Sequence, residues 1–578
     1  MKSLIRYLKP YRKEAVLAPL FKLLEASFEL LVPLVMARII DIGIAQGNRS
    51  YVYSMGLILV LFGITGLVSA ITAQYFSAKA ATGFGTALRN DLFRHIMGLS
   101  HDETDAFGSA TLITRITNDT NQIQNGVNMF FRLVLRSPFI VFGAMIMAFL
   151  ISGRAGLLFL GVIAILFLIV FLIMRSTVRM YRIVQKKLDR ILSDTSENLA
   201  GVRVLRAFNR QEHEKEIYRV GTGELAHEQI KTGNVSALLN PFTYIVVNLG
   251  IIAVLQTGAV SVSVGSLTQG QVVALVNYMS QILLELIKFA NLIILLSKSS
   301  ACAKRVNEIF GCRNSMRDGT LAMDENPEEG IPAVEFADVG FSYPGAQEEA
   351  VSNLNFSVKK GETVGIIGGT GSGKTTVVSL IPRFYDAQRG KILINGHDVR
   401  EYTLDSLRRH VGIVEQGAGL FKGTISSNLR WGKRDADQEE LIQAIHTAQA
   451  DNVTDESRGG LDAPVAQKGR NYSGGQKQRL SIARTLVRKP DILILDDSSS
   501  ALDFATDAAL RRSIRETSSD ITVFLVSQRV STIRRADKIL VLDDGRIAGC
   551  GTHDELIKCC GIYREICLSQ LPKEEVGL

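Results

Sequence analysis

Gly368-Gly369-Thr370-Gly371-Ser372-Gly373-Lys374-Thr375 decides the fold of the second half of this chain. The run before it, Glu362-Thr363-Val364-Gly365-Ile366-Ile367, predicts a buried strand, and the residues from Thr376 onward predict a helix. In that strand-loop-helix setting the octapeptide is a complete G-x4-G-K-[ST] phosphate loop. Its glycines let backbone N–H groups wrap phosphate oxygens, and the helix N-terminus favours an anion. Lys374 neutralises the β and γ phosphates, and the Thr375 hydroxyl is a Mg2+ ligand.

A second apolar run, Ile492-Leu493-Ile494-Leu495, predicts another buried strand and ends in Asp496-Asp497. This places two carboxylates at the strand's C-terminal edge beside the phosphate loop, with Asp496 holding Mg2+ through water. Between the two strands, Asn471-Tyr472-Ser473-Gly474-Gly475-Gln476 precedes a strongly helical stretch and exposes a second anion site at a helix start. Upstream, residues 313–332 shift to Gly, Asp, Glu and Pro and read as a linker. The expected domains are therefore a membrane domain over 1–312, a linker over 313–332 and an α/β nucleotide-binding domain over 333–578.

The composition of the whole chain is too oily for a soluble enzyme. The chain has 578 residues, 47% apolar and only 21% charged. A hydrocarbon core about 30 Å thick needs about 20 apolar residues per helix, and six segments qualify, about 15–40, 51–78, 131–153, 155–175, 241–264 and 271–297. Lys22, Glu25, Glu29 and Arg38 interrupt the first, and Glu285 and Lys288 interrupt the last. Residues 175–240 hold 12 Lys and Arg and the first 13 residues hold five, whereas the links 41–50 and 261–270 hold one and none. The positive-inside rule puts the N-terminus and both long loops in the cytoplasm, and six crossings return the nucleotide-binding domain there too. The net charge of +8 is thereby topological and does not call for nucleic acid.

No cleavable signal peptide is expected at MKSLIRYLKPYRKE, because charges interrupt the apolar stretch that follows. The six cysteines show no C-x2-C spacing and are expected as reduced thiols. His446, His553 and the Cys559-Cys560 pair lack partners at metal or catalytic spacing, so surface or packing roles are expected. The long cytoplasmic loops each carry a polar interruption, about 101–119 and 207–218, that suits a short crosswise helix or a solvated turn.

Taken together, these residues resemble a half-transporter of the ATP-binding cassette exporters, six membrane helices fused to one cassette, over essentially the whole chain. The resemblance implies ATP and Mg2+ as ligands and a multi-pass protein of the inner membrane. Tyr343 in Phe341-Ser342-Tyr343-Pro344-Gly345 resembles the aromatic that stacks on adenine, and Gln416 the glutamine that links Mg2+ to the membrane domain. Ser473, Gly474, Gly475 and Gln476 resemble the signature that completes a partner's site. Ser500-Ala501-Leu502-Asp503 resembles the loop between cassettes, and the two polar interruptions resemble coupling helices.

Three departures stand out. Asp497 occupies the position where active members carry a glutamate base, and a misplacement of about 1 Å can cost about 100-fold. Gln528 in Val526-Ser527-Gln528-Arg529 replaces a histidine that contacts the γ-phosphate, and Gln cannot carry that charge. Gln467 stands where many exporters have Glu. Since two cassettes sandwich two ATP molecules head to tail, the resemblance implies a heterodimer in which this chain's own site is weak and its signature serves the partner's site. A slow homodimer, a lipid flippase and an ATP-gated, channel-like regulatory subunit are the alternatives. A soluble cassette ATPase is excluded by the membrane spans. The expected cargo is an amphipathic or drug-like small molecule moved out of the cytoplasm by alternating access, with multidrug export the first reading, and the expected partners include membrane lipid.

Overall fold

The computed structural model describes residues 2–323, 330–417, 419–455, 459–498, 500–517 and 520–572. Residues 324–329 of the expected linker lie outside the described residues. The chain divides into two compact units, one of residues 1–97 with 110–312 and the other of residues 98–109 with 313–578.

The first unit is helical, with α1 (Arg12–Arg38), α2 (Arg49–Met97), and, after the excursion into the second unit, α5 (Thr120–Leu133), α6 (Arg136–Ile151) and α7 (Gly153–Ala200). It closes with α8 (Val202–Ala207), α9 (Gln211–Ala237), α10 (Leu239–Ser263) and α11 (Gln269–Gly311). The helices α3 (His101–Phe107) and α4 (Ser109–Thr114) lie between α2 and α5. Among the described residues, five helical stretches, Arg49–Met97, Ser109–Ile151, Gly153–Ala200, Gln211–Ser263 and Gln269–Gly311, are long and apolar enough to cross a membrane. The α1 segment falls outside that set because Lys22, Glu25 and Glu29 and its flanking charges break the apolar window.

Those charges are not left bare. Lys22 pairs with Glu25 at 2.5 Å, and Arg136 of α6 donates to Glu29 at 2.7 Å and to Glu285 of α11 at 2.8 Å. Ser137 donates to the other Glu285 oxygen at 2.9 Å, and Lys288 pairs with Glu285 at 2.8 Å. Arg136 and Glu285 are only 9% and 2% exposed. Arg136 therefore belongs to the bundle interior and not to the headgroup zone, where a charge near a helix end is commonly found. Burial of both partners makes their pairing obligatory.

The second polar interruption differs from expectation. The short helix is α8, over Val202–Ala207, and it precedes residues 208–218. Gly201 interrupts the helix before it, and Asn209, at φ 52°, turns the chain after it, so the residues from Gln211 already belong to long α9. The first interruption is not one helix but α3, α4 and a π-turn over Arg115–Asp119. Within the first unit, buried Asp119 accepts from Arg115 at 2.9 Å and from Arg305 at 2.5 Å and 2.9 Å.

The second unit is α/β. Its six-stranded sheet has the order β12 (Arg546–Gly551), β11 (Lys538–Asp543), β3 (Thr363–Gly368), β10 (Thr522–Val526), β9 (Ile492–Asp496), β6 (Val411–Val414). All neighbours are parallel except β12, which hairpins back on β11. β9 and β10 are buried along their whole length, as expected of central strands covered on both faces. A four-stranded antiparallel sheet, β2 (Val351–Val358), β1 (Val334–Phe341), β4 (Arg389–Ile394) and β5 (His397–Asp398), sits beside it, and β7 (Gly423–Thr424) pairs with β8 (Pro464–Val465). The unit's helices are α12 (Lys374–Leu380), α13 (Leu404–His410), α14 (Ile425–Leu429), α15 (Gln438–Thr447), α16 (Gly474–Leu486), α17 (Phe504–Thr517), α18 (Val530–Ile533), α19 (His553–Cys559) and α20 (Gly561–Gln570). Because β3, β10 and β9 are parallel neighbours, everything that follows them emerges at one sheet edge.

Candidate nucleotide site

Along that edge the phosphate loop follows β3, Asp496 ends β9, and Ser527-Gln528 follow β10. The helix behind the loop, α12, opens at Lys374, two residues earlier than the sequence suggested. Gly371 and Gly373 hold φ of 83° and 90°, a region that favours glycine. Gly369 has nothing within 4 Å of where a Cβ would sit, which leaves the crest of the loop open. Thr370 and Ser372 complete the loop, and the Lys374 ammonium folds over it to donate to the carbonyls of Gly369 at 2.6 Å and Gly368 at 3.1 Å. Burial pushes the Lys374 pKa down, opposed by the negative charges of Asp496 and Asp497.

Thr375 donates from Oγ1 to Oδ1 of Asp496 at 3.3 Å. Burial raises the Asp496 pKa, and Thr375 and Lys374 counter it. A buried carboxylate at the end of β9 and a hydroxyl in the first turn of α12 are hard oxygen donors that fit Mg2+. Gln416 lies elsewhere in this cluster. Its Nε2 donates to Oδ2 of Asp497 at 3.1 Å, so its carboxamide is engaged by Asp497 and not by Asp496. Asp497 stands at φ 45°, a backbone region that Asp tolerates better than most side chains. Burial raises its pKa against the charges of Lys374 and Arg529 and the bond from Gln416.

Tyr343 reaches this site from the antiparallel sheet. Its hydroxyl is 3.1 Å from Oγ1 of Thr376, and its ring meets Phe341 and Tyr385 edge-on, with centroids 5.0 Å and 5.4 Å away. Tyr385 was not singled out by sequence. Its hydroxyl donates to Oδ2 of Asp105 on α3 at 3.1 Å, and His101 of α3 stacks on Phe384 at 4.7 Å. Burial, then the Asp105 bond, pushes the Tyr385 pKa up. The α3 segment is thus held to the nucleotide unit through the two rings Phe384 and Tyr385, with a capping box between Ser100 and Glu103 fixing its start.

Ser473 caps α16. Its Oγ accepts from the Gln476 N–H at 3.3 Å, and Gln476 Oε1 accepts from the Ser473 N–H at 2.9 Å. Behind it, a Cβ on Gly475 would come 2.9 Å from the carbonyl oxygen of Ala501, so glycine alone fits where the turn meets the Ser500–Asp503 loop. Ser500 in turn donates to the Asp497 carbonyl at 2.8 Å. Gly474 and its neighbours share no hydrogen bond with residues 368–376 among the described residues. Gln528 is exposed at the sheet edge, and Gln467 sits in a short turn whose next residue, Lys468, holds φ 58°. No cluster of three or more His, Cys, Asp or Glu side chains suited to a metal occurs among the described residues.

Comparison with known proteins agrees with this architecture. Residues 16–286 match the ABC transporter transmembrane region and residues 351–500 match the ABC transporter family. An uncharacterized ABC transporter ATP-binding protein of Mycobacterium tuberculosis (strain ATCC 25618 / H37Rv) is 35% identical over 580 residues, covering 99% of this chain and 98% of that one. The ATP-dependent lipid A-core flippase of Escherichia coli (strain K12) is 28% identical over 562 residues, covering 96% and 95%. A solved structure of a bacterial Atm1-family ABC exporter with ATP bound aligns with a TM-score of 0.82 at 26% identity, covering 97% of this chain and 98% of that one.

Proposed function

This chain belongs to the ATP-binding cassette exporters as a half-transporter of the inner membrane with a cytoplasmic nucleotide-binding domain, and from that premise we propose that it is the subunit of a heterodimeric pump that holds the weakly hydrolytic ATP site. The observation that carries the proposal is the pairing of Asp497 and Gln528 at the ends of adjoining strands β9 and β10, two substitutions at a single site. Chance drift at two positions serving the same water and the same γ-phosphate is the less economical reading.

In this reading the membrane domain spans 1–312 with six crossings, α1 being the sixth because its acidic side chains are paired with Lys22 and Arg136. Tyr343 and the loop Gly368, Gly369, Thr370, Gly371, Ser372, Gly373 hold the nucleotide, with Lys374 against its phosphates and Thr375 and Thr376 at the helix start. Thr375 and Asp496, with Gln416 nearby, would hold Mg2+, which when bound would supply charge neutralisation on the phosphate oxygens. Asp497 is too short to hold the attacking water well and is tied up by Gln416, so ATP stays bound here through many cycles. Ser473, Gly474, Gly475 and Gln476 complete the partner's site, where hydrolysis resets the pump.

The cargo is an amphipathic molecule moved out of the cytoplasm or its leaflet. Similarity to a lipid A-core flippase favours the lipid-like end of that class. The experiment is steady-state ATPase of this chain alone and with the half-transporter that co-purifies with it. A nearly inactive lone chain beside an active pair supports the heterodimer, and brisk turnover by the lone chain defeats it.

A further inference from the structure

We infer that Gln570, the last residue of α20, is a positioning residue for the switch segment that carries Gln528, an inference resting on the assignment of Gln528 to the γ-phosphate sensor position. The Gln570 carboxamide grips that segment with both of its polar atoms. Its Nε2 donates to the Gln528 carbonyl at 2.7 Å, and its Oε1 accepts from the Val530 N–H at 2.9 Å.

The segment needs an outside grip. Val530 begins α18, whose preceding residue, Arg529, supplies no side-chain cap, so the Val530 N–H is an orphan donor of the first helical turn. Gln570 satisfies it from 40 residues away. On the other side Gln528 stands between Ser527, whose N–H bonds the Ile366 carbonyl at 3.1 Å, and Arg529, whose N–H bonds Ser527 Oγ at 3.0 Å. With Ser527 anchored to β3 and Val530 to Gln570, the backbone that presents the Gln528 side chain is pinned at both ends.

The grip is chemically selective. One atom of the clamp must donate and the other must accept, and a carboxamide offers the two on separate atoms of one uncharged end. Asn is one methylene shorter, and an ionised Glu only accepts. The base of the clamp is rigid, because α20 buries Tyr563 and Cys567 completely and the Tyr563 hydroxyl is bonded to His553 Nδ1 at 2.8 Å. Whatever displaces the end of α20 therefore displaces the switch backbone, and with it the discrimination of ATP from ADP at this chain's own site.

The test uses the full-length chain with its partner in nanodiscs and follows nucleotide bound to this chain by photo-crosslinking and gel separation. Gln570→Met keeps the side chain's length and removes both hydrogen bonds. We expect it to lower the preference for ATP over ADP about fivefold, in line with the loss of a net hydrogen bond, while ADP affinity stays unchanged. Gln570→Glu retains the acceptor, loses the donor and sets a carboxylate against the Gln528 carbonyl, so it should lower the preference at least as far. If Gln570→Met fails to fold, this second variant carries the comparison. On a Gln528→Ala background neither substitution should have any further effect. Loss of ATP and ADP binding together, or an undiminished effect on the Gln528→Ala background, overturns the inference and marks Gln570 as packing only. An unchanged preference in Gln570→Met while Gln528→Ala lowers it overturns the inference and leaves the sensor assignment standing. If Gln528→Ala itself changes nothing, the sensor assignment fails and this inference falls with it.

Discussion

Gln416 and Asp497 are joined side chain to side chain, Nε2 to Oδ2 at 3.1 Å, so the residue expected to orient water is held by the residue expected to face Mg2+. Lengthening Asp497 by one methylene should restore the reach of a glutamate base. Asp497→Glu is expected to raise ATPase about 10- to 100-fold in a pair whose other site has been inactivated. The left-handed backbone at this position opposes part of that gain at a cost of about 1 kcal/mol. Phosphate release under steady-state conditions measures it, and an unchanged rate would mean that positioning of the carboxylate is not what limits this site.

The bundle interior is expected to depend on charge balance around Arg136. Arg136→Met strands Glu285, which keeps only Ser137 and partly exposed Lys288, and should destabilise the chain by ~3 to 5 kcal/mol. Adding Glu285→Gln should recover most of the loss by removing the stranded charge. Thermal unfolding in detergent reads both; a double variant as unstable as the single one would show that the cost is packing.

At α3, Tyr385→Phe preserves the ring cluster and deletes the bond to Asp105. The expected result is a reduced stimulation of ATPase by transported substrate, about three- to fivefold for the loss of about 1 kcal/mol, with nucleotide affinity intact. Equal stimulation in the two proteins would assign the Asp105 contact no part in signalling.

His553 gives the nucleotide unit a pH response. Burial, with Arg534 adding, holds its pKa below the ordinary histidine range, so the native state favours the neutral ring. A depressed folded pKa means a contribution fully present above the unfolded value of about 6.5 and lost as pH falls towards the folded one. Stability should therefore decline below about pH 6.5 by no more than ~1.4 kcal/mol per pH unit from this group. His553→Gln should flatten that slope in denaturant titrations run from pH 7.5 to 5.5.

The parts of this protein legible in its sequence are those written in consecutive residues. The phosphate loop, the strand ending in Asp496 and the Ser473 cap each occupy a handful of positions with their own backbone logic. The Tyr385 and Gln570 contacts have no such signature, because their partners lie 280 and 42 residues away and ordinary tyrosine and glutamine carry no hint of them. Nothing in the residues adjacent to Arg136 names its partners, since Glu29 and Glu285 are brought to it by helix packing. The second short helix lies ahead of the polar run for a local reason. Gly201 and Asn209, not the polar run after them, carry the turn signals.

The placement of residues 98–109 with the second unit also has a temporal side. Asp105 is synthesised 280 residues before the Tyr385 that receives it, which at 5–20 residues per second is roughly 14 to 56 s on the ribosome. During that interval α3 has been made while the surface that holds it has not, and the membrane helices after it are already entering the bilayer. The last native contact of α3 is thus postponed until the cassette emerges, and the nascent chain depends on whatever shields that segment in the meantime.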